Sequence, residues 1–95
     1  GDFFTAQRAY DVGFVNRLTE GAALDAAIEL ATTIAANGPL ALKATKKIIN
    51  ESYDWTSDEA WKKQGEIMAP VFSSQDAQEG SIAFAEKRKP NWQGK

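Results

Sequence analysis

Apolar positions along this chain recur three and four residues apart, the spacing of one face of an α-helix. The clearest case covers residues 22–36, where Leu24, Ala27, Ile28, Ala31, Ile34 and Ala35 form one stripe. Asn37-Gly38-Pro39 closes it. Asn37 and Gly38 suit a helix end, and Pro39 suits the first turn of the next helix. That helix is expected over residues 39–52, with Leu40, Ala44 and Ile48 on one face, Leu42 and Ile49 beside it, and Lys43, Lys46 and Lys47 on the other side. Nearer the start, Thr5 caps a short helix over residues 6–12, with Ala6, Ala9 and Tyr10 in helical register and Gly13 as its left-handed stop. Residues 14–18, Phe-Val-Asn-Arg-Leu, read as a short extended piece. A lone strand needs a partner for its backbone groups, and none is visible downstream. The expectation is that its partner lies in an upstream part outside this sequence.

The second half follows the same rules. Thr56 with Glu59 three residues on matches a capping box. The helix it opens pairs Ala60 and Trp61, Gln64, Ile67 and Met68, Val71 and Phe72, and Pro70 is expected to kink it or mark an irregular end. Ser73-Ser74 offers a new cap, and Asp76 suits the positive end of the dipole that follows. The last helix is expected over residues 75–87, with Ile82, Ala83 and Phe84 as its apolar contacts, Lys87, Arg88 and Lys89 at its negative end, and Pro90 as its stop. The reading is all-α: about five helices in one domain over residues 1–95, with no repeat and no low-complexity linker. The alanine-rich helix and the widely spread apolar faces point to a partner surface beyond these residues.

Composition narrows the chemistry. At 95 residues, the chain buries only about 60–65% of its unfolded surface, so marginal stability is expected. With 43% hydrophobic and 25% charged residues it is ordinary for a globular domain. No apolar run approaches the roughly 20 residues of a membrane span, and no secretory segment opens the chain. The absence of cysteine excludes disulfides and thiolate chemistry and suits a reducing, cytoplasmic setting. The absence of histidine removes the commonest general base and metal ligand. The net charge of −2 is unevenly spread. Residues 1–85 hold seven basic and twelve acidic side chains, whereas Lys87, Arg88, Lys89 and Lys95 face only Glu86 in the last ten. Such a body repels nucleic acid, and the basic tip better suits a small anion.

The candidate residues each have a plain explanation beside the functional one. Asp58 with Glu59, Asp76 with Glu79, and Glu86 are carboxylates at helix starts or on the surface. Without histidine or cysteine they are a thin basis for a metal site, and none is assigned. Lys43, Lys46 and Lys47 make a solvated face or a phosphate contact, and no glycine-rich phosphate loop accompanies them. Trp55, Trp61 and Trp92 do not repeat in spacing, and Trp61 matches the core stripe of its helix. Gly80, inside a helical run, implies close approach of another backbone or a ligand. Phe84 and Lys87, three apart, place a ring beside an ammonium, a pair suited to a nucleotide.

Three stretches together resemble the C-terminal part of the crotonase superfamily, the enoyl-CoA hydratase/isomerase family. These are GDFFTAQRAYDVGFVNRL, ANGPLALKATKKIIN and SSQDAQEGSIAFAEKRKPNWQGK, in family order across the whole chain. The last is the most specific. The resemblance implies a complete enzyme much longer than this chain, with a spiral of strands and helices that supplies two oxyanion-hole amides and the catalytic glutamates. It implies that residues 1–20 are a remnant of the edge of that core and that residues 21–95 form the helical assembly region. No catalytic residue is carried onto this chain, and the 95 residues alone are expected to be inactive. Phe84 falls on the family's aromatic contact near the CoA adenine and Lys87 on its lysine near the CoA phosphates. Met68 and Phe72 fall where side chains border the acyl pocket. The implied role is hydration of 2-enoyl-CoA in fatty acid and lipid metabolism, with coenzyme A entering as part of the substrate and no metal. The implied assembly is a trimer or a dimer of trimers. A family isomerase or hydrolase, or a non-catalytic helical module, is the alternative.

Overall fold

A computed structural model describes all 95 residues and is all-α. Its helices are α1 (Ala6–Asp11), α2 (Ala23–Ala35), α3 (Pro39–Glu51), α4 (Ser57–Phe72) and α5 (Gln75–Ala85), with a 3₁₀ turn at Ser52–Asp54. The helix boundaries fall within two residues of those the pattern predicts. Residues 14–18 form no strand. Contacts divide the chain into two units, Gly1–Ile34 and Ala35–Lys95.

In the first unit, the Thr5 side chain accepts from the Arg8 amide and opens α1. The helix closes in a Schellman turn. The Gly13 amide donates to Tyr10 and the Phe14 amide to Ala9, with Gly13 at φ +74°. Phe4 and Phe14 meet edge to face with centroids 6.1 Å apart, and Ala9 is buried. The stripe on α2 stays open, because Leu24, Ile28 and Ile34 are all exposed.

In the second unit, α3 packs against α4 and α4 against α5. Ala44 is buried, with Leu40 and Ile48 partly so, as the α3 pattern requires. The capping box opens α4: the Glu59 amide donates to the Thr56 hydroxyl, and the Thr56 amide donates to the Glu59 carboxylate at 3.0 Å. Pro70 lies in the final turn of α4, where Ser73 Oγ donates back to the Ala69 and Pro70 carbonyls.

Three expectations are corrected. Gly38, expected with Asn37 at the end of α2, is instead the N-cap of α3 at φ −59°. Trp61 is not core but 79% exposed. Of the apolar contacts expected on α5 only Ala83 is buried, while Ile82 and Phe84 stand open. For Trp61, Ile82 and Phe84 the helical periodicity is present, but the surface that would cover those faces is not supplied by these residues.

Candidate functional site

The last ten residues fold back along α5, and the acidic side chains at the start of that helix hold them there. Ser74 caps α5 by accepting from the Ala77 amide. One turn on, Asp76 is only 3% exposed. Its two carboxylate oxygens accept separately from the amides of Gln93 at 2.7 Å and Gly94 at 2.9 Å. Its own amide donates to the Lys95 carbonyl at 3.0 Å. Asp76 therefore does more than complement the helix dipole; it clasps the chain end.

Glu79 forms the second point of the clasp. Its carboxylate accepts from Arg88 Nη1 at 2.6 Å and Nη2 at 3.0 Å, and from the Asn91 amide at 2.7 Å. The Arg88 guanidinium and then the Asn91 amide hold the Glu79 carboxyl at about 2, well below its usual value near 4.5. Because the folded value is depressed, this contribution is complete above about pH 4.5 and is lost as pH falls through about 2. Glu59 is likewise held at about 2, first by the Thr56 amide, then by the Thr56 hydroxyl and Lys63.

The third point is Trp92. Its indole N–H donates to the Ala36 carbonyl at 2.9 Å, and its ring lies over Gly80. A Cβ on residue 80 would stand 3.0 Å from the ring's Cη2 and 3.3 Å from Cζ3. What approaches Gly80 is thus neither another backbone nor a ligand, as the sequence reading expected, but the Trp92 side chain.

Lys87, next to Arg88 of the clasp, does not continue the helix as the sequence reading expected. α5 ends at Ala85, and Lys87 sits at φ +54° in a Schellman turn. The Lys87 amide donates to Phe84 and the Arg88 amide to Ala83. The same turn ends α1, where the left-handed position is a glycine. A left-handed non-glycine residue carries roughly 1–2 kcal/mol of strain. Lys87→Gly is accordingly expected to stabilise the fold by about 1 kcal/mol, read as a shift in denaturant midpoint at unchanged slope. A midpoint unmoved or lowered would mean that the turn stores no strain.

Charge around Lys87 is sorted. Arg88 takes both nearby carboxylates, Glu79 through its Nη atoms and Glu86 through Nε at 2.6 Å. No ion pair reaches Lys87 or Lys89, and Lys87 is exposed. Phe84, one residue before the helix ends, is 87% exposed. It borders a groove of roughly 590 Å³ that Met68 and Phe72 also line, together with Leu40, Val71 and Trp92. Lys87 is not part of that lining. Of the sequence candidates, the groove gathers Phe84, Met68 and Phe72, and Lys87 stands beyond the helix end. Lys43, Lys46 and Lys47 are exposed on α3, with Lys47 3.9 Å from Glu51. No group of three acidic side chains converges as a metal site. No helix is long and apolar enough to cross a membrane. The sequence reading did not identify Asp76, Glu79, Arg88 and Trp92 as one unit, although Gly80 was a signal that something approaches there.

The family model for enoyl-CoA hydratase/isomerase matches residues 1–95. The chain is 44% identical over 96 residues to the enoyl-CoA hydratase EchA19 of Mycobacterium tuberculosis, covering all of this chain and 36% of that protein. It is 42% identical over 94 residues to the methylmalonyl-CoA decarboxylase of Escherichia coli K12, covering 95% of this chain and 36% of that protein. The crystal structure of an enoyl-CoA hydratase from Mycobacterium tuberculosis H37Rv superposes with a TM-score of 0.96 at 56% identity, over all of this chain and 38% of that one. The chain thus spans a little over a third of the length of these relatives.

Proposed function

The chain belongs to the enoyl-CoA hydratase/isomerase family, and from that premise we propose that it is the C-terminal helical part of a complete enzyme acting on acyl-CoA thioesters. Its share of the relatives' length and its lack of strands support that reading. In it, residues 1–20 are the edge of the preceding core and residues 21–95 are the region that assembles subunits, as a trimer or a dimer of trimers, in the cytoplasm. Hydration of a 2-enoyl-CoA is the leading reaction. Relatives named as a hydratase and as a decarboxylase at similar identity leave the reaction to residues outside this chain.

The observation that carries the role of these 95 residues is Lys87, an unpaired ammonium held in a left-handed turn beside the exposed Phe84 ring. Strain kept at one residue marks a position where the side chain is needed. The ring stacks on an adenine face and the ammonium donates to phosphate oxygens, so the pair suits the nucleotide end of coenzyme A. Met68 and Phe72, on the same groove as Phe84, suit the border of the acyl chain. The chemistry itself is assigned elsewhere in the complete protein. Two backbone amides polarise the thioester carbonyl, and glutamate moves the proton or activates water.

Phosphate contacts far from the reacting carbons contribute equally to ground and transition states. Lys87→Ala in the complete protein is therefore expected to raise KM for an acyl-CoA about 10-fold with kcat nearly unchanged, for a charge-assisted contact worth about 1.5 kcal/mol. Steady-state kinetics measures this, and an unchanged KM removes Lys87 from the site.

The open apolar stripe of Leu24, Ile28 and Ile34 favours a second reading, a helical oligomerisation module without chemistry. Acyl-CoA turnover by the complete protein separates the two.

A further inference from the structure

We propose that Arg88 is a positioning residue for the acyl-CoA site: anchored on Glu79, it fixes the backbone of Lys87 and so aims the Lys87 ammonium. The inference rests on the reading of Lys87 as a phosphate contact, and it concerns a residue that touches no substrate.

Arg88 brackets Lys87 on both sides. Its Nε donates to Glu86 at 2.6 Å, on the residue before. Its Nη1 donates to the Lys89 carbonyl at 3.2 Å, on the residue after. Its backbone amide closes the Schellman turn on Ala83. The planar fork then lands on Glu79, nine residues back on α5, with both Nη atoms engaged at 2.6 and 3.0 Å. A bidentate pair fixes orientation as well as distance, which lysine does not reproduce. Glu79 is only partly exposed and is itself tied to the Asn91 amide, so the anchor does not move freely. A left-handed lysine relaxes to other backbone conformations unless its surroundings hold it. Here Arg88 makes the side-chain contacts that hold it, beside the Lys87 amide's own bond to the Phe84 carbonyl. Two carboxylates neutralise that guanidinium, so it is not itself a free phosphate ligand.

Arg88→Lys conserves charge and removes the fork. Glu79→Asp conserves charge and shortens the anchor. Each is compared in the complete protein, with and without Lys87→Ala, using an acyl-CoA and the corresponding acyl-pantetheine, which lacks the nucleotide. Thermal unfolding and native mass confirm that each variant assembles. Should Arg88→Lys fail to fold, Glu79→Asp carries the test. The expected result is a KM for acyl-CoA raised roughly 3- to 10-fold with kcat unchanged, no further rise in the Lys87→Ala background, and no change for acyl-pantetheine. A rise of equal size in the Lys87→Ala background, or with acyl-pantetheine, overturns the proposal and makes the role general to the fold. No rise in KM while Lys87→Ala alone raises it overturns the positioning role and leaves the Lys87 assignment standing. No effect of Lys87→Ala itself takes down the assignment and the proposal with it.

Discussion

Asp76→Ala is expected to release the last residues from α5 and to destabilise the clasp by about 2–4 kcal/mol. The side chain is buried, and each of its oxygens serves one backbone amide, at Gln93 and Gly94. Hydrogen bonds to a charged acceptor contribute about 1.5–3 kcal/mol each, and alanine replaces neither. The freed amides recover part of the loss by peeling into water, which limits the cost to that of unlatching the tail. Amide hydrogen exchange on the complete protein reads this directly. Protection at Gln93 and Gly94 is expected to fall by about two orders of magnitude while the interior of α3 keeps its own. Asp76→Asn retains one acceptor but turns an N–H toward the second amide, so an intermediate loss is expected. Unchanged protection at both amides would mean that the carboxylate does not hold the chain end.

Gly80→Ala is expected to destabilise although it improves the helix. Alanine at an interior helical position gains about 1 kcal/mol over glycine. Against this, its Cβ would meet the Trp92 ring at 3.0 Å. The ring does not slide freely, because its N–H is committed to the Ala36 carbonyl at 2.9 Å. Overpacking of this kind costs about 1–3 kcal/mol, so the larger effect decides the sign. The double mutant isolates the cause. With Trp92→Ala already in place, Gly80→Ala is expected to become stabilising by up to about 1 kcal/mol. Denaturant unfolding measures both, and a destabilisation of equal size in both backgrounds would assign the cost to something other than the ring.

Helices were legible because their signals are local. Thr5, Thr56 and Ser74 act as the caps their sequence positions predict, and the 3.6-residue period located α2 and α4 to within a residue or two. Burial was less legible. The stripes that include Trp61, Ile28 and Ile82 have the right period, but periodicity does not say whether the covering surface lies in the same chain. The site was read in part. Phe84 and Lys87 came from their spacing together with the family resemblance, and that spacing assumed one helix through residue 87. Lys87 instead occupies the left-handed position of a turn, where a pattern reading expects glycine. The clasp was not read because its partners are non-local. Asp76 meets Gln93 across 17 positions, Glu79 meets Asn91 across 12, and Trp92 meets Ala36 across 56. An acidic residue in a first helical turn has a sufficient local explanation, and that explanation concealed the distant one.

Native mass spectrometry of the protein from its natural source, with the same preparation assayed for crotonyl-CoA hydration, tests most directly the proposal that these residues are the nucleotide-covering part of a larger acyl-CoA enzyme. A protomer far heavier than 10.4 kDa, assembly in multiples of three, and turnover are expected. A natural product of 10.4 kDa that neither turns over nor binds an acyl-CoA would contradict the proposal.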